Sequence, residues 1–186
     1  MKRLIFALFA AAFISGAAYA VDFDLFRFPP SINERDIIIN TGVGFVNVNW
    51  SDASVLIPPL FLHAEYALPI GAPISVGLGF AFYQLEWGCC REFGYRLTIF
   101  DIFARANWHF GLGIDRLDLY TGVSLGFSAV NTTFLGDWME VAQNPASNRF
   151  LVNWQFGARF FFTNNIGVVV ETGWPYVIKG GLTVRL

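Results

Sequence analysis

The chain has 186 residues, of which 55% are hydrophobic, 18% aromatic and 14% charged, with a formal net charge of −2. No basic run or patch is present that would serve nucleic acid. The two cysteines are adjacent, Cys89 and Cys90, without further ligands at zinc spacing, so neither a metal nor a cofactor is expected.

The chain opens with Lys2 and Arg3, then an apolar stretch from Leu4 to Ile14 and the small-x-small triplet Ala18-Tyr19-Ala20. This is the signature of a cleavable export signal over residues 1–20, cut between Ala20 and Val21. The apolar stretch is short for an anchor helix. Cleavage removes two cations and no anions, giving a mature charge of 10 − 14 = −4. Residues 21–35 form an extension. Its Phe23, Phe26, Phe28, Pro29 and Pro30 suit packing at a membrane interface or a barrel mouth.

From residue 36 onward the dominant feature is period two. Ile74, Val76, Leu78, Phe80 and Phe82 alternate with Ser75, Gly77, Gly79 and Ala81, which is a strand with one large apolar face. Eight such strands are predicted: Asp36–Trp50, Pro59–Leu68, Ile74–Glu86, Tyr95–Phe110, Leu117–Ser128, Phe150–Phe162, Gly167–Trp174 and Val177–Leu186. The uncharged stretch Tyr66–Leu85 is long enough for a spanning helix, but Pro69, Gly71 and Pro73 break it and its large residues would scatter around a helix. A soluble β-domain would need another place to hide the Phe-rich rows. Apolar-out, polar-in strands of this length fit an all-β, eight-stranded, antiparallel, up-and-down transmembrane barrel over residues 36–186.

The connections alternate. Pro69–Pro73, Gly111–Arg116 and Thr163–Ile166 are short and turn-rich, whereas Ser51–Pro58, Trp87–Gly94 and Ala129–Arg149 are longer and more polar. That is the pattern of short periplasmic turns and longer external loops. Cys89 and Cys90 then lie in an external loop, in an oxidising compartment, with a free, mixed or intermolecular state at least as expected as a strained vicinal bridge. Trp50, Trp87, Trp108, Phe110, Trp174 and Tyr176 sit at strand ends, as interfacial girdles do.

Parity assigns the lumen. His63, Glu65, Asp101, Arg105, Asn107, His109, Asp118, Tyr120, Asn153, Gln155, Arg159, Glu171, Lys179, Thr183 and Arg185 all point inward, opposite the apolar rows. Gly42, Gly44, Gly77, Gly79, Gly122 and Gly126 share that face and clear space beside the bulky groups. Glu65, Arg105, Arg159 and Glu171 lie three to five residues from the same end of their strands, so one layer of paired charges is expected. A three-residue loop, Asn164–Ile166, would set Arg159 directly opposite Glu171 as the primary pair, with Arg105 and Glu65 completing the network. A catalytic reading of Glu65 with His63 has little support, because no serine or cysteine nucleophile is evidently placed beside a histidine. The chain is expected not to be an enzyme.

Phe103-Ala104-Arg105-Ala106-Asn107-Trp108-His109-Phe110, Gly157-Ala158-Arg159-Phe160 through Glu171-Thr172-Gly173, and Lys179-Gly180-Gly181-Leu182-Thr183-Val184-Arg185-Leu186 together resemble the small eight-stranded outer-membrane barrels of the OmpA, OmpX and OmpW type. The last stretch, with Gly181, Leu182, Val184 and Leu186, is similar to the C-terminal signal read by the outer-membrane assembly machinery, although it ends on Leu rather than Phe or Trp. The resemblance implies an outer-membrane location, contact with outer-membrane lipid, that machinery as a partner during insertion, and a monomer. The expected role is structural or surface-interactive, with the external loops offered to an extracellular ligand. The alternatives are a narrow channel for small apolar solutes, as OmpW resemblance implies, and a lipid-modifying enzyme.

Overall fold

The computed structural model describes residues 31–46, 53–90, 93–135, 148–173 and 176–186. The export signal, its cleavage point at Ala20 and Val21, residues 21–30, Trp50 and Trp174 lie outside the described residues. Eight strands run in chain order: β1 Ile37–Val46, β2 Ala53–Ala67, β3 Ile74–Cys90, β4 Phe93–Phe110, β5 Leu117–Leu135, β6 Arg149–Phe161, β7 Ile166–Gly173 and β8 Tyr176–Arg185. Each pairs antiparallel with the next, and β8 pairs with β1 to close the barrel. Closure leaves no open sheet edge, which a lipid-exposed sheet cannot tolerate.

The register sets the lean of the strands. Following paired residues once round from Phe161, through Gly167, Thr183, Asn40, His63, Gly79, Phe103 and Gly126, returns to β6 at Leu151, ten residues from the start (161 − 151). A stagger of that size tilts the strands by about 40°. Residues in one hydrogen-bonded row therefore stand at different heights in the lumen.

The outward rows are apolar and exposed over a defined belt. Val76, Leu78, Phe80, Phe100, Ile102, Val123, Leu125 and Phe127 belong to it, and Leu78 is 65% exposed. On β4 the belt spans about nine residues, Trp108 back to Phe100, the length a tilted strand needs to cross a bilayer. Two outward hydroxyls inside the belt turn back onto backbone carbonyls: Thr41 Oγ1 donates to Phe61 O and Thr121 Oγ1 to Gln155 O. In hydrocarbon no water could take their place.

Several strands run beyond the belt. Most of what reads in sequence as the loops Ser51–Pro58 and Trp87–Gly94, and the first part of Ala129–Arg149, is strand. One shift in the β2–β3 register, between Ile57 and Leu60, spans Pro58 and Pro59, as expected of prolines inside a sheet. Cys89 and Cys90 end β3 rather than sitting in a loop, and their side chains lie outside the described residues. Trp108 faces outward, 38% exposed. Trp87 belongs instead to the inner face, stacked on Tyr95 at 5.7 Å, and is not part of a girdle. Tyr176 starts β8, but its side chain is not described.

The first and last described residues share one end of the barrel. Leu186 exchanges backbone hydrogen bonds with Ile37 (3.0 and 2.8 Å). Arg185 Nη1 donates to Ser31 O at 2.5 Å, while Nε and Nη2 donate to Asn164 O at 2.8 and 2.5 Å. Ile32 packs on Ile38 and Ala67. In the terminal strand Leu182 and Leu186 are exposed, Val184 shares their outward parity, and Gly181 faces Gly42 across the seam.

Candidate functional site

The lumen is filled by an ion-paired core. Glu65, Arg105 and Arg159 have side chains with no solvent exposure, and Glu171 is 3% exposed. The structure joins these four through other pairs than the register of a three-residue loop would give. Gly157, not Arg159, stands opposite Glu171. The β6–β7 connection is the four residues 162–165, with Thr163 Oγ1 accepting the N–H groups of Asn165 and Ile166 (3.2 and 3.0 Å). The pairing slides by two residues, which keeps every side chain on its face but changes its neighbour.

The ties sort into two tiers. Nearer the terminus end, Arg159 Nη2 meets Glu65 Oε1 at 2.6 Å and its Nη1 meets Asp118 Oδ2 at 2.8 Å. Glu65 also accepts from Asn40 (3.2 Å), Ser75 (3.0 Å) and Asn107 (2.9 Å). In the other tier Glu171 takes Arg105 Nη2 at 2.7 Å, Lys179 Nζ at 2.6 Å and the Tyr120 hydroxyl at 2.7 Å. Arg105 Nε lies 3.4 Å from Glu65 Oε1 and links the tiers. Tyr120 does so too, with the Arg159 guanidinium 4.0 Å from its ring centroid. Distance from a strand end is not height in a leaning barrel, so the single layer expected from the sequence becomes two. A buried charge left alone costs several kcal/mol, which is why each carboxylate here carries two or more donors.

His63 does not face Glu65. Its Nδ1 lies 2.6 Å from Arg105 Nη1, so no His–Glu dyad forms. Sequence reasoning missed a different triplet: His109 Nδ1 lies 2.9 Å from Asp118 Oδ1 and His109 Nε2 lies 2.9 Å from Ser75 Oγ. The distances match those of a nucleophile–base–orienter set. The hydrogen-bond directions do not. Ser75 has one proton, and it goes to the Glu65 carboxylate, which can only accept. His109 must therefore donate to Ser75 instead of drawing its proton. All three side chains are buried, with Ser75 and Asp118 at 0% exposure. The set braces the lumen; it is not arranged to attack. Ser75 and His109 stand well apart in sequence, and only the β3–β4 pairing brings them near each other, so no local signal could have revealed them.

Inward glycines make room for the large groups. A Cβ on Gly79 would enter the Phe103 ring, and one on Gly157 would strike Tyr120. Beside Ser124, Gln155, Glu171 and Lys179 lies a cavity of about 10 Å³, the size of one water. No metal-binding group of His, Cys, Asp or Glu occurs among the described residues.

Beyond the belt the two faces exchange character. Outward positions become polar: Gln84 bonds Thr98 at 3.2 Å, Arg96 pairs with Glu86 at 3.0 Å, and Asn131 and Thr133 continue the rows on β5. Inward positions become apolar, with Tyr83, Leu85, Leu97 and Ile99 buried together and Trp87, Tyr95 and Val130 packed on them.

This closed, lipid-belted barrel with a charged core is a transmembrane β-barrel of the small eight-stranded class. Among solved structures it is similar to Ail, the attachment invasion locus protein of Yersinia pestis, at TM-score 0.50 and 12% identity over 82% of this chain and 96% of that one. The N-terminal barrel domain of Pseudomonas aeruginosa OprF gives 0.49 at 12% identity, over 82% and 96% of the two chains. A de novo designed transmembrane barrel gives 0.47 at 15%, over 83% and 98%. At such identities the likeness is one of fold. No family model and no curated protein matches the sequence.

Proposed function

We propose that the protein is a monomeric outer-membrane barrel with a structural or surface-interaction role, exported by its N-terminal signal and presenting its projecting strands and loops outside the cell. The observation that carries this reading is the lumen: two tiers of buried ion pairs cross it, with a cavity of about 10 Å³ beside them. A barrel so filled is a rigid base, not a conduit. The extension of β3, β4 and β5 past the lipid belt supplies the display surface. The buried Ser75–His109–Asp118 set, with its serine proton directed to Glu65, supports a non-enzymatic role.

One observation favours a second reading, a passage for small apolar solutes. The inner face of the extension is lined by Tyr83, Leu85, Leu97 and Ile99. A solute admitted there would meet the ionic tiers below and would have to leave sideways. Two measurements decide. Purified barrel in a planar bilayer should show no steady conductance, and uptake of a small apolar dye by cells should not depend on the protein. Asn131→Cys, in a background lacking Cys89 and Cys90, should react with a membrane-impermeant maleimide on intact cells. Protein-dependent dye uptake would favour the passage, and failure of Asn131→Cys to react would overturn the proposed orientation.

A further inference from the structure

The terminus end of the barrel carries a groove that the lumen does not account for. It has a volume of about 270 Å³ and lies between the stretch Ile32–Glu34 and the β2–β3 turn. Its walls are mostly apolar: Ile32, Ala67, Leu68, Ala72, Pro73 and Ile74. The Glu34 side chain secures one rim, Oε1 accepting the Gly71 N–H at 2.8 Å. Ala67 and Ile32 are buried at its base, while Ile70 beside it is 60% exposed.

We propose that this groove is the seat of the chain's own residues 21–30, which fold back so that the ring of Phe26 or Phe28 fills it. Three observations support that occupant over any other. The segment joins the described structure at Ser31, next to Ile32 of the groove wall, and Arg185 holds that junction in place through the Ser31 carbonyl. Its composition is apolar where it needs to be, with Phe23, Leu25, Phe26 and Phe28 in ten residues, and its sequence includes one cation, Arg27, while the Glu34 carboxylate at the groove rim is exposed. Finally, Phe28 is three residues from Ser31, within about 10 Å of it even with Pro29-Pro30 extended. A group tethered that closely competes at millimolar effective concentration against any free ligand. Docking of the segment buries the groove and adds a second layer beneath the terminus end of the barrel, where β1 and β8 meet.

The test is cross-linking in the full chain with Cys89 and Cys90 replaced by serine. Phe26→Cys and Phe28→Cys are each combined with Ala72→Cys and treated with a short bis-maleimide in lipid vesicles. Ile32→Cys with Ala72→Cys serves as the positive control, since both residues line the groove. The expected result is an intramolecular link, read by mass spectrometry as a 21–30 peptide joined to the 68–73 turn, in at least one test pair. Links only between two molecules would show a second copy in the groove and overturn the proposal. Absence of any link in both test pairs while the control reacts would place the segment elsewhere and overturn it as well. Adding Ala67→Trp, which fills the groove, should abolish the test link.

Discussion

Strands β3 and β4 pass through two regions of opposite polarity. Up to Phe82 and Phe100 the outward residues are apolar and the inward ones, Phe103 apart, are polar or small; past that level Gln84, Glu86, Arg96 and Thr98 face out, and Tyr83, Leu85, Leu97 and Ile99 face in. The backbone and its period are unchanged. What differs is the solvent on the outer side. Against hydrocarbon an outward charge costs about 2–4 kcal/mol near the midplane, falling toward zero at the interface. Against water the ordinary rule returns, and the apolar face turns inward. The crossover at Gln84–Thr98 thus marks the edge of the membrane more sharply than any aromatic girdle does.

The largest effect expected from breaking either region lies in the belt's core. Glu65→Ala removes one of the two carboxylates that pair with Arg159 and the link to Arg105, and should destabilise the barrel by about 3–5 kcal/mol, measured by urea unfolding in lipid vesicles. A double-mutant cycle sharpens this. Glu65 with Arg159 should show coupling of about 0.5–3 kcal/mol, while Arg159 with Glu171, which share no direct ion pair, should come nearer to additivity. The opposite ordering would mean that the two-residue slide of the β6–β7 hairpin is wrong.

Next in size is the contrast between the regions themselves. Leu78→Arg should cost about 2–4 kcal/mol, whereas Gln84→Arg, on the same face of the same strand, should cost about 0–1 kcal/mol. Equal costs would erase the proposed membrane edge. Maleimide labelling offers an independent check: Gln84→Cys should react in vesicles and Leu78→Cys should not. Ser75→Cys should not react either, because the lumen buries that position completely.

Gly79→Ala should cost about 1–3 kcal/mol through overlap with the Phe103 ring. Phe103→Leu in the same chain should recover part of that loss. The smallest effect belongs to the end of the β3 extension. Replacing Cys89 and Cys90 together by serine should leave stability within about 0.5 kcal/mol. Loss of assembly in that variant would reveal a structural disulfide.

Much of this molecule is written locally. Alternation at Ile74–Phe82 sets which face of β3 is apolar, because successive side chains leave a strand on opposite sides whatever it pairs with. The same rule places Glu65, Arg105, Arg159 and Glu171 inside before any partner is known. It also hides where a strand stops: the residues after Glu86 and those after Ser128 continue as strand, but the change in outward polarity makes them read as loop.

Partnership is what the sequence by itself leaves open. Arg159 finds Glu65 and Asp118, not the Glu171 of the next strand, because register and a ten-residue stagger decide which inward groups share a height. Ser75 meets His109 and Asp118 for the same reason. Parity is a property of one strand and survives any slide by two residues; contact across a lumen depends on all eight strands closing together. The chain alone therefore determines inside and outside, and tertiary structure decides which charges are joined.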